Sequence, residues 1–219
     1  MPFFQHSTRF AVCAAGLLAR RRGTLAALML SCAAAAAAAQ PALTVERDGR
    51  SFDLRAHAVV DADVATVWST ITDYDRLETF VPGIERSRVL SRRLEDDTER
   101  LIVEQSGSIR FWFFAQPIRV RLEASHRPRT RVDANAIADA SGLGDAHPTL
   151  EFFEARYELT PQAQGGVRLD YRARVVPRFD LPLSIGAIAL RRTFGAHFDA
   201  LIGEIGRRAH AAPPVAEGG

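Results

Sequence analysis

The chain has 219 residues, of which 47% are hydrophobic and 25% are charged, a composition typical of a globular protein. Four of its 28 basic residues lie in residues 1–39, which contain no acidic residue, so the remainder carries 24 basic against 26 acidic side chains. This near-neutral balance argues against nucleic acid as a partner. Both cysteines, Cys13 and Cys32, lie in the same N-terminal segment, so the rest of the chain has no disulfide and no cysteine nucleophile.

Residues 1–39 have the pattern of a secretory signal peptide. Three arginines at 20–22 precede an uncharged, mostly alanine run that ends in small side chains. A basic region, a short apolar region and a small-residue cleavage site predict cleavage near Ala39 and a periplasmic or secreted protein. Two alternatives stay open, namely an uncleaved membrane anchor and lipidation of Cys32 within a poor lipobox sequence.

After this segment the sequence predicts one strand and two short helices. Apolar and polar side chains alternate over residues 51–60, which is typical of a half-buried strand. Asp63 then offers an N-cap, and apolar residues follow at helical spacing over residues 64–71. A second short helix is predicted over residues 74–79, because Pro82 disfavours its continuation.

A series of about six strands is predicted between residues 85 and 175, where alternating segments are separated by turn residues. Residues 109–114 form one predicted strand, in which Phe111 and Phe113 face one way and Trp112 and Phe114 the other. One aromatic pair must then face away from the core. It forms either an apolar lip at the mouth of a ligand site or a surface that another part of the chain covers.

The periodicity becomes helical after Pro182, and a long helix is predicted over residues 183–208. At 1.5 Å per residue this helix is about 40 Å long if it is unbroken, and Gly195 marks a candidate kink. Residues 210–219 are predicted to be a disordered tail, which leaves one domain over about residues 45–209. Many consecutive strands beside few helices indicate an α+β fold with an antiparallel sheet.

These elements predict a cavity. About seven strands spaced roughly 4.8 Å apart span more than about 30 Å, whereas a helix is only about 10–12 Å across. The sheet must therefore curve round the long helix, and small inward residues such as Ala134 and Ala173 leave space between them. The alternative is a core without a cavity, in which large side chains occupy that space.

Residues 63–90, DVATVWSTITDYDRLETFVPGIERSRVL, resemble the START-like (helix-grip, SRPBCC) superfamily. The features shared with it lie at Val67, Trp68, Tyr74, Phe80, Val81 and Pro82. The resemblance is greatest to the branch of polyketide cyclase/dehydrase and coenzyme Q-binding proteins, and the predicted element order matches over nearly the whole domain. It implies a curved antiparallel sheet around a C-terminal helix, with a hydrophobic ligand such as a lipid, quinone or polyketide held between them.

The residues predicted to bind this ligand are apolar or aromatic and lie on the strands, on the long helix and at the Phe-Val-Pro motif. They are Phe80, Val81, Trp112, Phe113, Leu122, Tyr157, Tyr171, Phe194 and Phe198. Tyr157 and Tyr171 lie on inward faces of neighbouring strands and can offer hydroxyl groups to a ligand carbonyl, or bond to a protein partner within the core. Simple core packing is the alternative for Phe194 and Phe198.

No catalytic residue, cofactor or metal site is predicted, because the histidines lack metal-ligand spacing and no nucleophile elbow or phosphate-binding loop occurs. The favoured function is a carrier or binding protein, with transient contact to a membrane surface. A cyclase- or dehydratase-type enzyme is the first alternative, which an acid or histidine aimed into the cavity would favour. A protein-interaction module that uses Trp112 and Phe114 is the second.

Overall fold

The helices and strands follow one another in the predicted order, with one additional strand at the beginning. The computed structural model describes residues 43–96, 98–111, 114–137, 149–180 and 186–211, which lie within the compact unit 37–219. The predicted signal peptide, Trp112, Phe113 and the tail beyond Ala211 lie outside these described residues.

Within the described residues, eight strands form one open antiparallel sheet. They are β1 Thr44–Asp48, β2 Ser51–Val60, β3 Ile84–Glu95, β4 Thr98–Phe111, β5 Phe114–Arg127, β6 Arg131–Ala136, β7 Leu150–Pro161 and β8 Val167–Pro177. The helices are α1 Val64–Ile71, α2 Leu77–Phe80 and α3 Gly186–Ala211, and a 3-10 turn at Tyr74–Arg76 precedes α2. The strand order is β1-β2-β8-β7-β6-β5-β4-β3, so the connection that contains α1 and α2 crosses from one side of the sheet to the other.

Two details of the sheet differ from the prediction. Strand β1 adds an edge strand that pairs with β2 from Thr44↔Arg55 to Asp48↔Ser51, so the sheet has eight strands rather than about seven. The single strand predicted over residues 109–114 is wrong, because β4 ends at Phe111, β5 begins at Phe114, and these two residues are cross-strand partners. Alternation cannot reveal a chain reversal inside a run of four aromatic residues, since none of the usual turn residues marks it.

Helix α1 begins where the sequence predicts. The Asp63 carboxylate accepts hydrogen bonds from the backbone N–H of Thr66 at 2.8 Å and from its hydroxyl at 2.7 Å. This cap satisfies one of the N–H groups that a helix leaves free at its first turn. The inner face of α1 buries Val67 and Ile71 in the core, and the helix also contacts α3.

Helix α3 runs through Gly195 without interruption and contains 26 residues, which at 1.5 Å per residue gives a length of about 39 Å. It continues to Ala211, three residues beyond its predicted end. The buried residues of α3 recur at helical spacing, and they are Gly186, Ala189, Leu190, Phe198, Leu201, Glu204 and Ile205. The helix contacts β1, β2 and β4 as well as α1 and α2, so it lies across the inner face of the sheet.

An ionic network joins the last turns of α3 to the end of α1. The Arg208 guanidinium lies 2.7 Å from a carboxylate oxygen of Asp73 and 2.7 Å from one of Glu204. The same guanidinium lies 5.5 Å from the centre of the Phe80 ring, a cation–π contact. These contacts hold the C-terminal part of α3 against the short helices at one end of the sheet.

Candidate ligand-binding site

Two adjacent cavities lie between α3 and the inner face of the sheet. The serine cavity has a volume of about 120 Å³ and includes Ser106 and Ser108 in its wall. The tyrosine cavity has a volume of about 150 Å³ and is bordered by Tyr74, Tyr157 and Tyr171. Their common wall consists of Ile84, Gln105, Leu122, Phe153, Phe194 and His197. An apolar cavity of about 150 Å³ holds one benzene ring, so the two together match a ligand of about two rings.

Most of the predicted ligand-binding residues converge on these cavities. Those that line the tyrosine cavity are Val81, Leu122, Tyr157, Tyr171, Phe194 and Phe198. Leu122 and Phe194 also line the serine cavity and therefore lie at the centre of the combined space. Phe80 borders neither cavity, because its ring lies under Arg208. Trp112 and Phe113 lie outside the described residues.

Tyr157 and Tyr171 are cross-strand partners in β7 and β8, and their ring centres lie 4.6 Å apart. The ring of Tyr171 in turn lies 6.3 Å from that of Phe198 on α3. Burial raises the pKa of both tyrosine hydroxyls above the usual value, so both stay protonated. Neither hydroxyl makes a hydrogen bond within the described part of the chain, which leaves both available to a ligand.

A chain of hydrogen bonds leads from the partly exposed Glu99 to the wall of the tyrosine cavity. A Glu99 carboxylate oxygen lies 2.9 Å from His126 Nδ1, and His126 Nε2 lies 2.9 Å from Tyr74 Oη. Burial lowers the pKa of His126, and the adjacent Glu99 carboxylate opposes this effect. The edge-to-face contact of His126 with Trp68, at 5.4 Å between ring centres, fixes the imidazole further.

His197 on α3 borders both cavities. Its Nε2 atom is sealed from solvent and has no hydrogen-bond partner. Burial lowers the pKa of His197 to about 4, while a hydrogen bond to the backbone of Pro82 acts in the opposite direction. The imidazole is therefore neutral at physiological pH.

Neither histidine is among the residues predicted to bind the ligand, although the position of each in the sequence carries a signal. His126 continues the inward alternation of β5 after Leu122 and Ala124. His197 lies three residues after Phe194 and four before Leu201, on one face of α3. In each case the signal is a histidine on a face that is otherwise apolar, which indicates a polar group directed into the core.

The described residues contain no group of three or more His, Cys, Asp and Glu side chains that could hold a metal ion. None of the helices in the described ranges is long and apolar enough to cross a membrane. The site consists of mainly apolar walls with a few tyrosine, histidine, glutamine, serine and threonine groups. Such an arrangement suits an apolar guest that makes few polar contacts.

An antiparallel sheet that holds a long C-terminal helix around an apolar cavity is the helix-grip architecture of START-like proteins. The family model for polyketide cyclase / dehydrase and lipid transport matches residues 60–201, which is more than half of the chain. The chain therefore belongs to this family. A search of curated protein sequences found no match.

Several solved structures share the fold at low sequence identity. The STAR-related lipid transfer protein from Xanthomonas axonopodis aligns at 15% identity with a TM-score of 0.59, covering 76% of this chain and 98% of that one. The Zhui aromatase/cyclase from Streptomyces sp. R1128 aligns at 14% identity with a TM-score of 0.59, covering 75% and 99%. Human STARD10 aligns at 11% identity with a TM-score of 0.58, covering 76% and 73%. At these identities the similarity concerns the fold alone.

Proposed function

We propose that this protein is an exported carrier or binding protein for a hydrophobic small molecule held between the sheet and α3. The main support is the pair of adjacent apolar cavities of about 120 and 150 Å³, whose common wall includes Leu122 and Phe194. Protein interiors are normally packed with few voids larger than a water molecule, so this much apolar space in the core indicates a guest. The family description includes lipid transport, which agrees with this class of ligand.

The cavities restrict the guest by size and polarity. Their volumes favour a molecule of about two rings, or an acyl segment of similar volume, as in a lipid, quinone or polyketide-like compound. The free hydroxyls of Tyr157 and Tyr171 lie beside the tyrosine cavity and provide its orienting polar contacts. The walls otherwise contribute mainly apolar contacts, and no covalent chemistry is required of them.

The export part of the proposal is supported by the signal-peptide pattern of residues 1–39. A periplasmic or secreted carrier of apolar molecules would collect and release them through transient contact with a membrane surface. The intact mass of the protein purified from its own host tests the location. Cleavage near Ala39 should give the mass of the chain without its leader. A mass that still includes the leader would indicate a membrane anchor, and added acyl mass would indicate lipidation of Cys32. Either of these two results would contradict simple export.

The ligand itself is tested by native mass spectrometry of the protein purified from its own periplasm, followed by solvent extraction. We expect a discrete added mass that disappears on denaturation. Leu122→Trp should abolish it, because the larger side chain fills the common wall of both cavities. Leu94→Trp is the matched control, since Leu94 is 74% exposed. Absence of added mass from the wild-type protein, or its persistence in Leu122→Trp, would contradict the proposal.

A cyclase- or dehydratase-type enzyme is a second candidate, which the Glu99–His126–Tyr74 chain favours. Tyr74 Oη could accept a proton from a carbon next to a ligand carbonyl while its own proton passes to His126, whose imidazolium then faces Glu99. Deuterium exchange into 2-tetralone in D2O, followed by NMR, tests this function. Catalysis predicts faster exchange than in buffer and loss of that acceleration in Tyr74→Phe, whereas equal rates with wild-type protein and buffer contradict it.

A further inference from the structure

We infer that the ligand carries a hydroxyl group, and that the tyrosine cavity recognises the proton of this group through either of two hydrogen-bond acceptors, Tyr74 Oη and His197 Nε2. The inference rests on the proposed function, because it specifies the chemical class of the guest. The acceptor role of each atom is inferred from a separate set of contacts. Both residues border the same cavity.

The direction of the hydrogen bonds makes Tyr74 an acceptor toward the cavity. A carboxylate only accepts, so His126 Nδ1 must donate its proton to Glu99. In a neutral imidazole the other nitrogen, Nε2, then has a lone pair and accepts from the Tyr74 hydroxyl. The single proton of Tyr74 is therefore committed to His126, and only lone pairs of Oη remain for a ligand.

His197 is assigned the tautomer that carries its proton on Nδ1. Proline has no backbone N–H, so the hydrogen bond between His197 and the Pro82 backbone must use the Pro82 carbonyl as acceptor. Nε2 has no hydrogen-bond partner among the described residues, so we assign this bond and the ring proton to Nδ1. Nε2 is left as a lone-pair acceptor that is sealed from solvent at the wall shared by both cavities. The atom has almost no accessible surface in either cavity, so a bound donor reaches it only when the wall moves. Gly83 is a neighbour at this point, since a Cβ on residue 83 would lie 3.4 Å from Nε2.

These acceptors distinguish a hydroxyl from other polar groups. A ligand hydroxyl can accept from Tyr157 or Tyr171 and donate to Tyr74 or His197. A ketone, quinone or ether can only accept and leaves both acceptors unpaired. A carboxylate is disfavoured as well, because no arginine is among the described residues that line the tyrosine cavity. The predicted class is therefore an apolar phenol or alcohol.

A matched pair of bicyclic compounds tests the inference, 2-naphthol and 2-methoxynaphthalene, which differ by replacement of the hydroxyl proton with a methyl group. Binding to the full-length protein without its leader is measured by fluorescence titration. We expect wild-type protein to bind 2-naphthol about tenfold more tightly. His197→Leu should reduce this ratio several-fold, and Tyr74→Phe should reduce it as well. His197→Gln should preserve most of the ratio, because its amide oxygen is also an acceptor.

His210→Leu is the control for loss of an imidazole from α3, since His210 is exposed and borders neither cavity. It should leave the ratio unchanged, and thermal melts of all variants confirm that they are folded. Equal binding of the two compounds to wild-type protein, or an unchanged ratio in both His197→Leu and Tyr74→Phe, would overturn the inference but not the proposed function. Failure of both compounds to bind would contradict the proposed function itself.

Discussion

The carbonyl oxygen of Gly83 occupies the position that a Cβ atom on residue 107 would need. Gly83 has a φ of +82°, and its carbonyl accepts a hydrogen bond from the backbone N–H of Ser108 at 2.9 Å. Both glycines border the serine cavity, so this close backbone approach forms part of its wall. The start of β3 can lie against β4 here only because residue 107 has no side chain.

We therefore expect Gly107→Ala to destabilise the protein by about 2 kcal/mol or more, because the added methyl group must displace backbone atoms. Urea unfolding followed by circular dichroism measures the loss. Gly203→Ala is the control, since a Cβ at this exposed position of α3 meets no atom within 4 Å. It should instead stabilise the helix by up to ~1 kcal/mol. Equal effects of the two substitutions would disprove the steric explanation.

The cap of α1 supports a second prediction. Asp63→Ala should cost about 1 kcal/mol, because the carboxylate bonds to the Thr66 N–H and hydroxyl are lost. Asp63→Asn should retain most of the stability, since its amide oxygen can still accept from the backbone. Asp61→Ala is the control, because the exposed Asp61 side chain makes no hydrogen bond within the described residues. Thermal melts that rank Asp61→Ala as equally damaging would contradict this role of Asp63.

Much of this architecture follows from local patterns. Alternation assigns Leu122, Tyr157 and Tyr171 to the inner face, because neighbouring side chains on a strand point to opposite sides. The excess width of the sheet over one helix predicts unfilled space, and cavities occur there. Their volumes depend on how side chains from distant segments pack, so no local pattern can give them.

The missed features depend on contacts between distant segments. Phe80 belongs to the family motif, yet its neighbour is Arg208, which comes 128 residues later and covers the ring from outside the cavities. His126 and His197 interrupt apolar patterns, and only the folded structure supplies Glu99 and Pro82 as their partners. The chain reversal between Phe111 and Phe114 likewise shows only in the strand register.

A third prediction concerns Glu204 in the ionic network of α3. Hydrogen bonds from Arg207 and, next, Arg208 lower the pKa of Glu204 to about 2, from 4.5. Because the pKa is lower in the folded state, the stabilisation is present above pH 4.5 and is lost as the pH falls toward 2. We expect Glu204→Gln to cost about 2 kcal/mol at pH 7 and progressively less below pH 4.5.

Urea unfolding of both proteins at pH 7, 4.5 and 3 measures this difference. Glu85→Gln is the control, because Glu85 is 62% exposed and lies 3.9 Å from Arg110. It should change the free energy of unfolding little at any of these pH values. A cost of Glu204→Gln that does not vary with pH would show that the loss comes from packing and not from charge.

The last prediction uses the pH dependence of ligand binding. Burial lowers the pKa of His197 from 6.5 to about 4, so Nε2 remains an acceptor until the pH approaches 4. The affinity for 2-naphthol should therefore be nearly constant from pH 8 to 5 and should fall near pH 4, whereas that for 2-methoxynaphthalene should not. The same lowered pKa means that the neutral ring favours folding above pH 6.5, and this contribution is lost as the pH falls toward 4.

His126 also reaches this cavity through Tyr74, and its protonation would reverse the hydrogen bond between them. His197→Gln separates the two histidines, because any pH dependence that remains in this variant must come from His126. Circular dichroism at each pH restricts the comparison to folded protein. A fall in the affinity ratio between pH 7 and 6 that is absent from His197→Gln would mean that His197 titrates like an exposed histidine. The lone pair of Nε2 would then be shared with water, and the selection for a hydroxyl group would have another origin.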